Sequence, residues 1–397
     1  MSDALCPRLQ QQVVLSGTAL CFSSESLDLD CVIVEILSWL PAKSLLRFRC
    51  VCKAWRALIS DPYFIRKHLS HINTKISTSY SLLLREQIFR SVEYEAILEY
   101  LSLEGPLPSR RLHFPVLDLP FDIPNIEIVG SCNGLICLVL DTNAEESFTF
   151  MIWNPCTGES QVLPLPPFHS SNSSFWGFGY DSTTNDYKVI LGSYKSGHEI
   201  VVVFTLKTGS WRNLQRLNRY FEVNWTGCLA NEALHWVLKE VEGGRSIAYN
   251  LVSFDLAEEK FHEIPLPYPP NPNEMRGLIA EVGILSNCLT LYFQTMYCEP
   301  GCKFKMWVMK DYGVKKSWTE VINIPSEALD KEYIYMTCIS ENGEVLMRQA
   351  DDGSLALYNP KEKTFRIAMD HGGYWYETAT YIETLVSPLS GSTGATV

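Results

Sequence analysis

Five phrases in this chain repeat one pattern: an apolar strand bearing an aromatic residue, a turn, then a position that is often aromatic. They are "MIWNPCTGESQVLP", "VVFTLKTGSWRNL", "LVSFDLAEEKFHEIP", "MWVMKDYGVKKSWTEVINIP" and "LALYNPKEKTFRIAM". Their anchors, Trp153, Phe204, Phe254, Trp307 and Tyr358, lie 51, 50, 53 and 51 residues apart. A second phrase precedes each anchor by 16 to 23 residues. It is a turn on Asn133, Asn185, Asn231, Asn287 or Asn342, followed by an apolar strand. Asparagine tolerates the positive φ that tight hairpins need. Two hairpins per repeat make a four-stranded unit, and repetition of that unit at this period predicts a β-propeller.

The repeats cover residues 128–368. The flanks also read as strands: "SYSLLLRE" and "AILEYLSLEG" before, "ETATYIETLVSPL" after. Joined, they make a composite sixth blade that closes the ring with both chain ends and removes exposed sheet edges. Six blades are expected; five or seven stay open, and an irregular array of β-sandwiches is the alternative body. With the strands of a blade named A to D, the asparagine turns join A to B and the "NPCTGE" turns join C to D, on one face. The B–C and D–A connections lie on the other and read as longer: 195–199, 239–246, 295–303, 167–176 and 267–277. Long loops on a rigid scaffold are where binding sits. The candidates for target recognition there are Trp176, Tyr194, His198, Arg245, Tyr268, Arg276 and Tyr297, because Tyr, Trp and Arg dominate binding hot spots.

Residues 27–71 differ. They carry net +3 in a chain of net −12, which leaves the rest of the chain at −15. Ile33, Ile36, Leu37 and Leu40 recur at helical spacing. Asp28 or Asp30 suits a cap, and Pro41 ends the helix. Leu45, Phe48, Val51, Cys52, Trp55, Leu58 and Ile59 form a second helical set. "SDP" at 60–62 stops it, and "YFIRKHL" starts a third helix. So small a unit is marginal unless something covers its apolar surface.

"EILSWLP", "KSLLRFRCVCKAW" and "LISDPYF", with Leu27 ahead of them, resemble an F-box; Asp28 stands where that family usually has proline. The resemblance implies docking on a Skp-type adaptor and, through it, on a cullin–RING ubiquitin ligase. By position the adaptor contacts would be Leu27, Ile36, Leu40, Pro41, Leu45, Leu46, Val51, Cys52 and Trp55, some of which must instead be internal core. In the body, "GSCNGLICL", "IWNPCTGE", "GFGYDSTTNDYKVI" and "YIETLVSPL" resemble the plant F-box-associated interaction domain, a kelch-like relative. The expected layout is a tail over 1–26, an F-box over 27–71, a propeller over 72–388 and a tail over 389–397, both tails disordered.

The negative charge argues against nucleic acid as a partner. No apolar run is long enough to span a membrane. Thirteen cysteines without a secretion signal read as reduced thiols of a cytosolic or nuclear protein. Cys298 and Cys302 lack further ligands for a metal, and no catalytic or phosphate-binding motif occurs, so neither a cofactor nor an enzyme activity is expected. Two readings compete. One is a ligase substrate receptor that bridges an adaptor and a protein target. The other is a propeller that binds a glycan or metabolite, or acts as an enzyme, with the helical head as an accessory.

Overall fold

The computed structural model describes residues 24–391 except 75–79, 86–87, 101–108, 116–124, 142–147, 168–173, 196–197, 215–220, 224–225, 243–244, 268–277, 286, 296–303, 325–333, 340–342, 350–354 and 370–376. The chain divides into two compact units that meet between His71 and Ile72.

The first unit is helical: α1 (Ser24–Ser38), α2 (Ala42–Phe48), α3 (Lys53–Ser60) and α4 (Pro62–Thr74). It has four helices where the sequence suggested three. The second apolar set divides because Cys52 turns extended, at φ −156°, and its Sγ accepts the Trp55 N–H at 3.4 Å as the cap of α3. Asp28 and Asp30 lie inside α1, which starts earlier, at Ser24, and so they do not cap it. "SDP" both stops and starts a helix. Asp61 Oδ1 accepts the N–H groups of Tyr63 and Phe64 at 2.8 and 3.3 Å, and Pro62 takes the first helical position. Leu37, Ala42, Leu45, Ile59, Phe64 and His68 form the interior. His68 Nε2 donates to the Leu40 carbonyl at 2.9 Å, tying α4 to the residues that follow α1.

The second unit is a six-bladed propeller, each blade an antiparallel sheet in the order A–B–C–D. Blade 1 comprises Asn125–Cys132, Leu135–Asp141, Phe148–Trp153 and Ser160–Val162. Blade 2 comprises Ser174–Asp181, Asp186–Lys195, His198–Thr205 and Ser210–Asn213. In blade 3 strand A is in two pieces, Phe221–Val223 and Cys228–Ala230, followed by Ala233–Glu242, Arg245–Asp255 and Lys260–Ile264. Blade 4 comprises Leu278–Leu285, Cys288–Thr295, Phe304–Met309 and Trp318–Ile324. Blade 5 comprises Ile334–Ile339, Val345–Gln349, Leu355–Asn359 and Thr364–Met369. Blade 6 is the composite one: Glu377–Ile382 is strand A, and Tyr80–Arg85, Phe89–Glu93 and Arg110–Arg111 complete it. The six A strands touch in succession and close the ring.

Both faces of a blade pack on neighbours, so central strands read as unbroken apolar runs. Residues 135–140 are all buried, as are residues 201–204. Val201 and Val203 of blade 2 meet Leu234, Trp236 and Phe254 of blade 3 in one such layer. The five anchors are all buried. The aromatic position after the turn is explained by register. Phe204 pairs across strands with Trp211, Phe254 with Phe261 and Tyr358 with Phe365, with ring centroids 5.3, 4.9 and 4.8 Å apart. Truncating one such ring to alanine costs about 3–5 kcal/mol.

The turns bear out their chemistry. Asn133, Asn185, Asn231 and Asn287 have φ of 51°, 52°, 48° and 62°. Asn342 lies outside the described residues. The C–D turns place Gly158, Gly209, Glu259, Gly313 and Lys363 at positive φ. A side-chain oxygen at the start of three of these turns, on Asn154, Asp255 and Asn359, accepts two backbone N–H groups just ahead.

Two flank readings change. Part of "AILEYLSLEG" is helix, α5 (Tyr94–Tyr100), set in the C–D connection of blade 6. Its Glu, Ala and Leu favour helix, and the pairing partner expected of it is supplied by Arg110–Arg111 instead. The end of the chain is tied down beyond strand A. Asn154 Nδ2 donates to the carbonyls of Thr384 and Val386 at 3.1 and 2.6 Å, and Thr384 Oγ1 donates to the Asn133 carbonyl at 2.8 Å. A 3-10 turn at Pro388–Gly391 follows. Gly134, at φ +82°, is needed here: a Cβ would stand 2.3 Å from Thr384 Oγ1 and 2.7 Å from the Ile382 carbonyl.

Candidate functional site

The helical unit presents apolar side chains that it does not bury. Val32, Ile36, Trp39 and Val51 are 52%, 59%, 45% and 63% exposed. Of the expected adaptor contacts, Ile36, Pro41, Val51 and Cys52 are exposed, and Leu40, Leu46 and Trp55 are half-buried. Leu45 is a correction: it is fully buried within the unit, because the α2 face it shares with buried Ala42 is turned inward. The side chain of Leu27 lies outside the described residues. Val32 and Trp39 were missed. They stand four residues before and three after Ile36, so helical spacing puts them on its face.

On the propeller the A–B and C–D turns share one face and the B–C and D–A connections the other, as the repeat register requires. Trp176 is a correction. It sits within strand A of blade 2, fully buried, edge-on to Phe148 and Phe150 of blade 1 at 5.7 and 6.5 Å. Two expected long loops are also corrected. Strands B and C run on until Lys195 pairs with His198, and Glu242 with Arg245. Tyr194, His198 and Arg245 are therefore strand-end positions on the B–C side. Tyr268, Arg276 and Tyr297 lie outside the described residues.

A charge cluster on this side of the ring is announced by no motif along the chain. Glu127, Glu281 and Glu377 are in the A strands of blades 1, 4 and 6. Arg85 and Arg348 are at or near the ends of two B strands. Glu377 pairs across strands with Arg85 and accepts the Ile128 N–H of blade 1. Burial, with nearby Glu127, pushes its carboxyl up to about 7, against the pull of that N–H, Arg85 and Arg348. Burial also raises Glu281, opposed by the Tyr292 hydroxyl that donates to it and by Arg348. These carboxyls hold their protons unusually tightly, so a cationic group brought beside them would shift their charge.

The short-turn side is built from structural ties. Lys188, almost fully buried, reaches Asp181 and Glu259 at 2.8 Å each and the Leu256 carbonyl at 2.5 Å, joining blades 2 and 3. Burial opposes the Asp181 charge, yet Lys188, Thr183 and Thr184 hold its carboxyl well below the usual range. His235 Nδ1 donates to the Cys228 carbonyl at 3.3 Å, and its Nε2 accepts from the Tyr312 hydroxyl at 2.7 Å. Burial pushes this imidazole down to about 4, so it stays neutral. Among the described residues no cluster of His, Cys, Asp and Glu could hold a metal ion. A cleft of about 400 Å³ between blades 3 and 4 is lined by Leu251, Ile264, Leu266, Glu263 and Lys315.

Residues 108–380 match the F-box associated beta propeller domain, and residues 26–67 match the F-box domain. The chain belongs to the F-box proteins that carry this propeller. An F-box/kelch-repeat protein of Arabidopsis thaliana is 28% identical to this F-box protein over 390 residues, covering 92% of this chain and 97% of its own. F-box protein CPR1 of Arabidopsis thaliana is 31% identical over 336 residues, covering 77% and 75%. Among solved structures, virginiamycin B lyase from Staphylococcus aureus superposes with a TM-score of 0.38 at 12% identity, over 74% of this chain and 85% of its own. At that distance it bears on neither fold nor function. The family phrases acquire a physical meaning here. "CNG", "NPCTG" and "ETLVSPL" meet at the lock between blade 1 and the chain end.

Proposed function

We propose that this F-box protein is the substrate-recognition subunit of a Skp–cullin–F-box ubiquitin ligase, acting in the cytosol or nucleus. The observation that carries the reading is the exposed apolar surface of the F-box unit. A soluble domain this small leaves Val32, Ile36, Trp39 and Val51 in water only if a partner covers them. The Skp-type adaptor is that partner. The propeller then holds a protein target on its B–C and D–A side, around the Glu127, Glu281 and Glu377 cluster. Holding the target raises the effective concentration of its lysines at the ligase's catalytic partner. The chain itself needs no catalytic residue for this.

The test is binding of the purified chain to a Skp-type adaptor. Ile36→Asp with Val51→Asp should weaken it at least about 100-fold, since both buried-interface contacts become charges. Binding at wild-type strength would sink the reading. For the target side, the doubly substituted chain should still capture its target from cells, and adding Glu127→Lys should abolish capture. Loss through charge reversal on the short-turn side alone, at Glu258 for example, would reassign the face.

A further inference from the structure

Trp39 differs from the other exposed apolar residues of the F-box unit: it is held from several sides. His71 of α4 stacks on its indole, with centroids 4.0 Å apart and ring planes 17° from parallel. His71 Nδ1 lies 3.1 Å from Ser38 Oγ. The indole N–H donates to Glu35 Oε1 at 3.4 Å, and Lys67 of α4 pairs with the same carboxylate. His71 thus braces the indole directly and Lys67 braces it through Glu35 of α1. The conformational freedom that a loose tryptophan would lose on docking is already lost. Tryptophan in such a state makes a strong interface anchor.

We propose that Trp39 is an anchor of the adaptor interface and that His71 is the positioning residue that presets its ring. The proposal rests on the docking function above. The occupant is the adaptor because the ring continues that surface: Val32 and Ile36 precede it on one helical face, and exposed Pro41 follows.

The experiment measures affinity of the full chain for a purified Skp-type adaptor, with circular dichroism and melting of each variant as the fold control. Trp39→Ala should weaken binding about 30-fold, the scale of a hot-spot tryptophan. His71→Ala should weaken it about 3- to 10-fold with the melt unchanged, and His71→Phe, which keeps the stack, should restore it to within about twofold. Val51→Asp, beyond the end of α2, tests the docking function itself. If Val51→Asp abolishes binding and Trp39→Ala leaves it unchanged, the anchor is wrong and docking stands. If neither changes it, both are wrong. Binding of His71→Ala at wild-type strength overturns the positioning role. A dimer of the free chain that Trp39→Ala dissolves assigns the ring to a second copy and overturns the adaptor.

Discussion

The two units of this chain manage apolar surface in opposite ways. The propeller buries both faces of its blades against neighbours and joins its last strand to its first, so the large apolar residues it does expose, such as Tyr80, Val162 and Ile284, are spread over several blades. The F-box unit has four short helices around a few buried side chains and leaves a tryptophan, an isoleucine and two valines in water. The difference teaches where each derives its stability. The propeller depends on ring closure; the helical unit depends on a small core and a few internal polar ties, such as His68 to Leu40, and, in the function proposed for it, on a partner.

The sharpest break in this comparison is at the closure. Gly134→Val forces a side chain into the lock at φ +82° against Thr384. It should destabilise the propeller by about 3 kcal/mol or more, from strain and overpacking together. Thermal or urea unfolding of the full chain checks this, and the helical signal should melt as before. An unchanged propeller melt would show that closure is not what holds it.

Next comes a contrast of sign. Glu377, raised to about 7, binds its proton more tightly folded than unfolded. The stability it contributes is complete below its unfolded value of 4.5 and is lost as pH rises toward 7. Glu377→Gln keeps an acceptor for Ile128 and removes the titration. At pH 8 it should stabilise the propeller by about 1–2 kcal/mol, allowing for partial solvent screening. It should do nothing near pH 4.

The smallest effect is in the helical unit and runs the other way. Burial, partly offset by the Leu40 carbonyl, lowers His68 below its ordinary 6.5. A buried base of this kind gives stability that is complete above 6.5 and lost as pH falls. Between pH 7.5 and 5 the helical transition should therefore move down, while the advantage of Glu377→Gln over wild type in the propeller transition should shrink; taking that difference cancels the loss that neutral His235 brings to both propellers in the same window. Calorimetry of the full chain and of the variant reads both, and a Glu377→Gln advantage that stays constant with pH would refute the contrast.

Much was legible in one dimension. The spacing of Trp153, Phe204, Phe254, Trp307 and Tyr358 is a count along the chain, and strands buried on both faces announce themselves as apolar runs. The asparagine turns were legible because positive φ is a local property, chosen residue by residue. The F-box was legible because its helices follow each other without interruption. The surface proposed for the adaptor was only half so. Helical spacing groups Val32, Ile36 and Trp39, but which face of α2 turns inward depends on where α3 and α4 lie, and that made Leu45 interior.

What the sequence determined by itself, then, is the unit of construction: its period, its turns and its helical head. Only the tertiary structure decided how separate units meet. Trp176 became core because blade 1 sets Phe148 and Phe150 against it. Glu127, Glu281, Glu377, Arg85 and Arg348 became one cluster because closing the ring brings distant A and B strands to one rim. The physical reason is the same in each case. Backbone propensity acts between neighbours in sequence, whereas burial and charge act between neighbours in space, and the closed ring makes neighbours of residues near the two ends of the chain.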